Sequence, residues 1–221
     1  NIGVSAFDLL AKVSPGDKVI LELSSFELEG LDSSPEIAVV TNIMQDHLNR
    51  YSGMEDYIEA KKNIFKYQTK NDALFLNEDD FIVRQFAGEA KSKVIFFSGK
   101  EIDLSGLKIF GDHNKPNVAA AIAVARFMGM QDYEIKGSLK SFNGVAARQE
   151  FVDEINGVKY FNDTTATIPE AVIAAIDSFS SRFPKAEIFL ICGGVYKGVD
   201  YKEFAEKVKQ KNIPLILLPG S

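Results

Sequence analysis

Residues 36–76 read EIAVVTNIMQDHLNRYSGMEDYIEAKKNIFKYQTKNDALFL, and this stretch decides the fold. Glu36–Asn42 and Ala73–Leu76 are short, nearly unbroken apolar runs of the kind that form strands buried on both faces. Between them, Met54, Tyr57, Ile58, Ile64 and Phe65 recur at helical spacing and define one apolar stripe over about Met54 to Tyr67. Strand, amphipathic helix and strand in that order predict an α/β fold with a largely parallel sheet.

The same alternation extends outward. Lys18–Leu23 and Lys93–Phe97 read as further buried strands, and Phe81–Ala90 as a helix. A long helix follows Pro116 through Val118-Ala119-Ala120-Ala121-Ile122-Ala123 and stops near Gly129, with a short one over Tyr133–Phe142. A second unit begins at Asn143-Gly144. There Gln149–Ile155 and Val158–Asn162 flank Asn156-Gly157, a strong two-residue hairpin signal. Thr167-Ile168-Pro169-Glu170 predicts a helix start with a Thr cap, a capping box and Pro in the first turn. A strand at Glu187–Cys192, a helix at about Tyr201–Lys211 and a strand at Pro214–Leu218 complete an incomplete Rossmann-like pattern. The expected domains are therefore 1–143 and 144–221.

Bulk properties narrow the function. The 221 residues are 46% hydrophobic and 25% charged, with 25 Lys plus Arg against 31 Asp plus Glu, a net charge of -6. That balance lacks the basic face a nucleic-acid partner needs. No apolar run approaches the roughly 20 residues that span a bilayer. The single Cys192 lies in an apolar run and reads as an inert thiol. No obligate protein partner is signalled. The chain opens on Asn1 without a Met and stops at Ser221 just past an apolar run, so it reads as a piece of something longer.

Five local patterns carry candidate chemistry. Glu22, in Glu22-Leu23-Ser24-Ser25-Phe26, interrupts an apolar run near its C-terminal end, where ligand sites of open sheets lie; it reads as a cation ligand or as an ordinary strand-edge carboxylate. Asp46 and His47 follow another strand and suit a cation or a phosphate, or a plain loop. Lys61 falls inside the apolar stripe of the Met54 helix, whereas Lys62 is turned about 100° towards its edge. A lysine so placed either snorkels outward or is desolvated to a neutral, nucleophilic amine. Gly111-Asp112-His113-Asn114-Lys115-Pro116-Asn117 heads the long helix, whose N-terminus offers unpaired amides, with Asn114 and Asn117 as added side-chain donors. In the second unit stand Arg148, then Asn162-Asp163-Thr164-Thr165-Ala166-Thr167, then Gly193-Gly194-Val195-Tyr196-Lys197-Gly198, each weak alone but suited to phosphate, ribose and carboxylate contacts.

In this order and spacing the five patterns resemble the Mur ligase family over essentially the whole chain. Glu22-Leu23-Ser24-Ser25-Phe26 with Glu29 is most similar to the D-glutamate-adding branch. The resemblance implies an ATP-binding central domain, a Rossmann-like C-terminal domain, a cytoplasmic parent enzyme and Mg²⁺. The substrate carboxylate of UDP-N-acetylmuramoyl-L-alanine takes the γ-phosphate of ATP, and the amine of D-glutamate then displaces phosphate from the acyl phosphate. It implies Glu22, His47 and a carbamylated Lys61 as catalytic metal ligands. Asn114, Asn117, Arg148 and Asp163 are implied as ATP contacts. Asn1, Ser24, His47, Thr167 and Lys197 are implied as substrate contacts.

Two departures accompany the match. Thr165 stands where better-known members carry lysine, and no G-x-x-x-x-G-K-[ST] phosphate loop occurs in the sequence. That loop is expected upstream of Asn1. Two rivals stay open: a relative adding another amino acid, such as a folylpolyglutamate synthase-like ligase, and a non-catalytic nucleotide-binding remnant.

Overall fold

A computed structural model describes residue 8 and residues 11–46, 50–195 and 199–219. Strand β2 (Ala73–Asn77) is buried along its whole length, between β1 (Ile37–Val40) and β3 (Lys93–Phe97) in a parallel sheet of order β1-β2-β3. Its side chains alternate between two cores, because successive Cβ atoms leave opposite faces of a strand. Leu74 and Leu76 join Ala38, Val40, Tyr57, Phe65, Val83 and Phe86 on one side. Ala73 and Phe75 join Phe97, Ala119 and Ala120 on the other. The first core is roofed by the helix Met54–Lys66, the second by the helix Asn114–Phe127.

With α1 as Ser25–Glu29, these two helices are α2 and α3. The small residues of α3 let its backbone come close to the sheet. At Gly99, just past β3, an added Cβ would lie 2.7 Å from the Pro116 nitrogen in the first turn of α3. Gln68 ends the crossover after α2. Its buried amide donates to the Pro35 and Ala73 carbonyls at 2.8 and 3.1 Å and accepts from Ser92 Oγ at 2.8 Å, so a buried polar group is fully used. Helix α4 (Asp132–Ser141) closes this half.

In the second half, β4 (Glu150–Ile155) and β5 (Val158–Asn162) form an antiparallel hairpin. Asn156 and Gly157, at φ 52° and 81°, make the left-handed two-residue turn that their identities predict. Helix α5 (Pro169–Arg182), β6 (Leu190–Cys192), α6 (Lys202–Gln210) and β7 (Leu215–Leu217) follow, with β6 and β7 parallel. Among the described residues the hairpin does not join the β6–β7 pair, and the second half holds two separate two-stranded sheets.

Three expected elements are corrected, and one element was not anticipated. Lys18–Leu23 forms no strand: Val19, Ile20 and Leu21 are 55%, 91% and 53% exposed, and no described strand supplies the ladder an apolar run needs. Glu22 therefore does not sit at a strand end. Phe81–Ala90 shrinks to a 3₁₀ turn over Val83–Gly88, begun by Asp80, whose Oδ1 accepts from the Ile82 and Val83 amides. The Thr167 capping box does not form. Ile168 is the N-cap and Pro169 the first helical residue, which leaves Thr167 one position too early to reach the helix amides. Helix α1, finally, was not anticipated, although Ser24-x-x-Glu27 is its capping box: Ser24 N donates to Glu27 Oε2 at 2.7 Å and Glu27 N to Ser24 Oγ at 3.3 Å.

Because Phe75 fills the α3 core and is fully buried, Phe75→Ala should destabilise the chain by about 3–5 kcal/mol. Urea denaturation checks this, with the surface substitution Phe81→Ala as a comparison expected to cost much less.

Candidate active site

Lys61 stands half-buried on α2, its Nζ 4.9 Å from the centroid of the Tyr57 ring one turn earlier. Burial holds its pKa below the usual lysine value, and the Asp46 carboxylate opposes that shift only in part. Burial likewise pushes Tyr57 up to about 12, helped by Asp46 and Tyr51. Asp46 thus faces both side chains from the loop after β1. Lys62, one residue on, is held by Glu59 and Glu89, each at 2.7 Å. The two adjacent lysines are therefore unlike: one is an ion-paired strut, the other a desolvated amine.

An aromatic and charged clasp shapes the loop that carries Asp46. Tyr51 stacks on Phe26 with ring centroids 5.9 Å apart and tilts against Tyr57 at 5.3 Å. Its hydroxyl donates to Glu29 Oε1 at 2.5 Å. Arg50 lies 4.4 Å over Phe26 and donates to Glu29 Oε2 at 3.2 Å. Glu29 is thereby kept below the ordinary carboxylate range, chiefly by the Tyr51 hydroxyl.

Glu22 is exposed on the extended segment entering α1. Ser24 caps α1, which commits its hydroxyl: Ser24 Oγ donates to Glu27 Oε2 at 2.6 Å. Asn1, His47 and Lys197 lie outside the described residues. Among the described residues no three His, Cys, Asp or Glu side chains converge as a metal cluster. The oxygen donors Glu22 and Asp46 nonetheless suit a hard divalent cation in chemistry.

The four expected ATP residues do come together, from both halves of the chain. Asn114 and Asn117 share the first turn of α3, with Asn117 Nδ2 donating to Asn114 Oδ1 at 3.3 Å. Arg148 occupies a corner between Ala147 and Gln149, both in the left-handed region at φ 59° and 46°. Asp163 Oδ1 accepts from the Gln149 amide at 3.0 Å. Burial pushes the Asp163 carboxyl up, while the Gln149 amide, His113 and Arg148 oppose this. Thr165, at the position where the resemblance expects lysine, braces the corner instead: its amide and hydroxyl donate to the Ala147 carbonyl at 3.2 and 2.7 Å. Thr167 is exposed just before α5.

One residue the sequence reading quoted without assigning a role, His113, links these groups. Its Nδ1 lies 3.3 Å from Ser178 Oγ on α5, and its Nε2 lies 3.1 Å from Asn114 Nδ2 and 3.4 Å from Gln149 Nε2. The sequence signal that could have found it is Gly111 two residues earlier. At φ 90° an added Cβ there would sit 2.0 Å from Ser178 Oγ, so only glycine allows this close approach. Cys192 is half-buried and its thiol is pushed up by burial, as suits an inert cysteine.

Residues 1–105 match the Mur ligase middle domain. The UDP-N-acetylmuramoylalanine–D-glutamate ligase of Acetivibrio thermocellus is 38% identical over 99% of this chain and 51% of its own length. The chain is similar to the Mur ligase family over nearly its whole length. The ligase of the same description from Clostridium kluyveri is also 38% identical, over 99% of this chain and 51% of its own. The chain thus spans about half the length of the curated relatives it matches. In fold it is similar to the MurF ligase of Thermotoga maritima in complex with ADP, with a TM-score of 0.66 and 20% identity over 85% of this chain and 53% of that one. Among the described residues no helix is long and apolar enough to cross a membrane.

The lysine's placement has a measurable cost. Its folded pKa lies below its unfolded value, so at neutral pH the folded state bears the desolvation of an ammonium that the unfolded chain hydrates freely. Lys61→Met should therefore raise the urea midpoint at pH 7. The gap should narrow as pH rises towards about 10.4, the ordinary lysine value. An unchanged or lowered midpoint at pH 7 would show the charge to be fully compensated in the fold.

Proposed function

We propose that this chain is the catalytic core of an ATP-dependent ligase that adds D-glutamate to UDP-N-acetylmuramoyl-L-alanine in peptidoglycan precursor synthesis, in the cytoplasm. The observation that carries the reading is the desolvated Lys61, seated on the apolar face of α2 with Asp46 opposite. The identity of the relatives at 38% supports the choice of amino acid.

In this reading the substrate carboxylate attacks the γ-phosphorus of ATP, ADP leaves, and the D-glutamate amine then attacks the acyl carbon and expels phosphate, leaving the new amide. Mg²⁺, when bound, supplies charge neutralisation at the phosphoryl oxygens. Glu22, His47 and a carbamate on Lys61 would hold it. A neutral Lys61 amine adds CO₂ and gives up one N–H proton to water to become an anionic carbamate oxygen ligand, and the burial that lowers its pKa favours that step.

Asn114 and Asn117 face the adenine side of the nucleotide, and Asp163 the ribose. Arg148 reaches the phosphates from its left-handed corner once the two domains, 1–143 and 144–221, close. Ser24, Thr167, Asn1 and Lys197 complete the contacts to the two acyl-transfer substrates. The phosphate-loop cradle comes from the part of the ligase outside this chain, so the 221 residues alone should release no phosphate above blank with ATP, Mg²⁺, UDP-N-acetylmuramoyl-L-alanine and D-glutamate.

Two substitutions in the full-length ligase test the roles. Lys61→Ala should nearly abolish turnover, with partial rescue by acetate and none by chloride at equal ionic strength. Full activity of Lys61→Ala, or equal rescue by both salts, would reduce this lysine to a snorkelling helix residue. Arg148→Lys should lower kcat/KM well beyond twofold despite the retained charge, because the planar fork is lost.

A further inference from the structure

Four polar side chains around His113 form one hydrogen-bond chain, and their chemistry fixes its direction. The Asn114 and Gln149 groups nearest His113 Nε2 are amide nitrogens, which can only donate. Nε2 is therefore the acceptor, and the ring proton sits on Nδ1, facing Ser178 Oγ at 3.3 Å. Ser178 Oγ in turn donates to the Ala174 carbonyl at 2.7 Å, which leaves its lone pairs for the His113 proton. A neutral imidazole protonated at Nδ1 matches the Ser178, Asn114 and Gln149 contacts, while Gln149 Oε1 is buried without a partner among the described residues.

The chain ends on the amide of Asn114. One Asn114 Nδ2 proton goes to the Phe110 carbonyl at 2.8 Å and the other to His113 Nε2. With both protons so engaged, Asn114 Oδ1 is turned towards Asn117, whose Nδ2 donates to it. The orientation of the Asn114 carboxamide is thus set by the Phe110 carbonyl and His113 together, and His113 is braced by Ser178 on α5 of the second unit. The mounting is close: Phe110 packs edge-on against Phe179 at 5.4 Å, with Phe161 and Phe183 at 6.5 and 6.4 Å. Gly111 leaves no room for a side chain between His113 and Ser178.

We propose that His113 is a positioning residue. It transmits the placement of α5 to the carboxamide of Asn114 and so sets which purine edge the head of α3 accepts. The proposal rests on the nucleotide reading above. An amide held with its oxygen inward discriminates between donor and acceptor groups on a base, and one free to flip does not.

The test separates the two ends of the imidazole in the full-length ligase. His113→Gln keeps an acceptor near the Nε2 position, whereas His113→Asn keeps a donor near Nδ1 and loses the acceptor. Binding of ADP and GDP is measured by calorimetry, and folding of each variant by its thermal melt. The Asn114 side-chain amide resonances are followed by NMR without nucleotide.

His113→Ala and His113→Asn should weaken ADP by about fivefold, the loss of one net hydrogen bond, with GDP unchanged. His113→Gln should stay within about twofold. The Asn114 resonances should shift in Ala and Asn and stay close to wild type in Gln. Unmoved Asn114 resonances in His113→Ala and His113→Asn, or equal losses in ADP for Gln and Asn, overturn the proposal. Should His113→Ala fail to fold, the Gln and Asn pair decides. A wild type that binds neither nucleotide would sink the nucleotide reading, while the Asn114 resonances still judge the positioning role.

Discussion

Burial of β2 on both faces is the constraint from which the rest of the molecule follows. A strand with no exposed side must be apolar wherever a side chain lacks a hydrogen-bond partner, needs a paired strand on each edge and needs a helix over each face. Ala73–Asn77 meets all of these through β1, β3, α2 and α3. Its last residue, Asn77, is buried and polar, and is used to hold the next layer: its amide donates to the Thr41 carbonyl at 2.8 Å. That bond ties the loop after β1, which leads to Asp46, to the end of the central strand. The course of the loop leading to Asp46 thus derives from the core itself.

The same helix that roofs the first core carries Lys61. Tyr57 and Phe65 fill the core, and Lys61 lies between them in sequence on the same face. A lysine there opposes folding, while its lowered pKa suits it to bind CO₂ or to react as an amine. The corner at Ala147-Arg148-Gln149 shows a similar trade. Two non-glycine residues in the left-handed region are held there by Thr165, Glu150 and Asp163, and the result is a fixed presentation of Arg148. Strain and desolvation fall at the two places where the resemblance puts function.

Much of the fold was legible in the sequence because its signals are local. The strand runs Lys93–Phe97 and Ala73–Leu76, the apolar stripe of α2 and the Asn-Gly hairpin depend on neighbours within one element. The misreadings share one cause. Lys18–Leu23 has strand composition, but a strand exists only where another strand pairs with it. Thr167 has cap chemistry, but Pro169 and Ile168 decide where the helix turns begin. In both cases the outcome depended on something outside the local pattern.

The candidate site divides the same way. The identity of Lys61, its place in an apolar stripe, and the presence of Asn114, Asn117, Arg148 and Asp163 are properties of the chain order, and the sequence alone determined them. That His113 joins α3 to α5, and that Thr165 braces the Arg148 corner, are contacts between residues 65 and 18 positions apart. No periodicity encodes such pairs. They exist because distant segments pack together, as Phe110 does against Phe161, Phe179 and Phe183, and only the tertiary structure decided which polar groups that packing would bring within hydrogen-bonding distance.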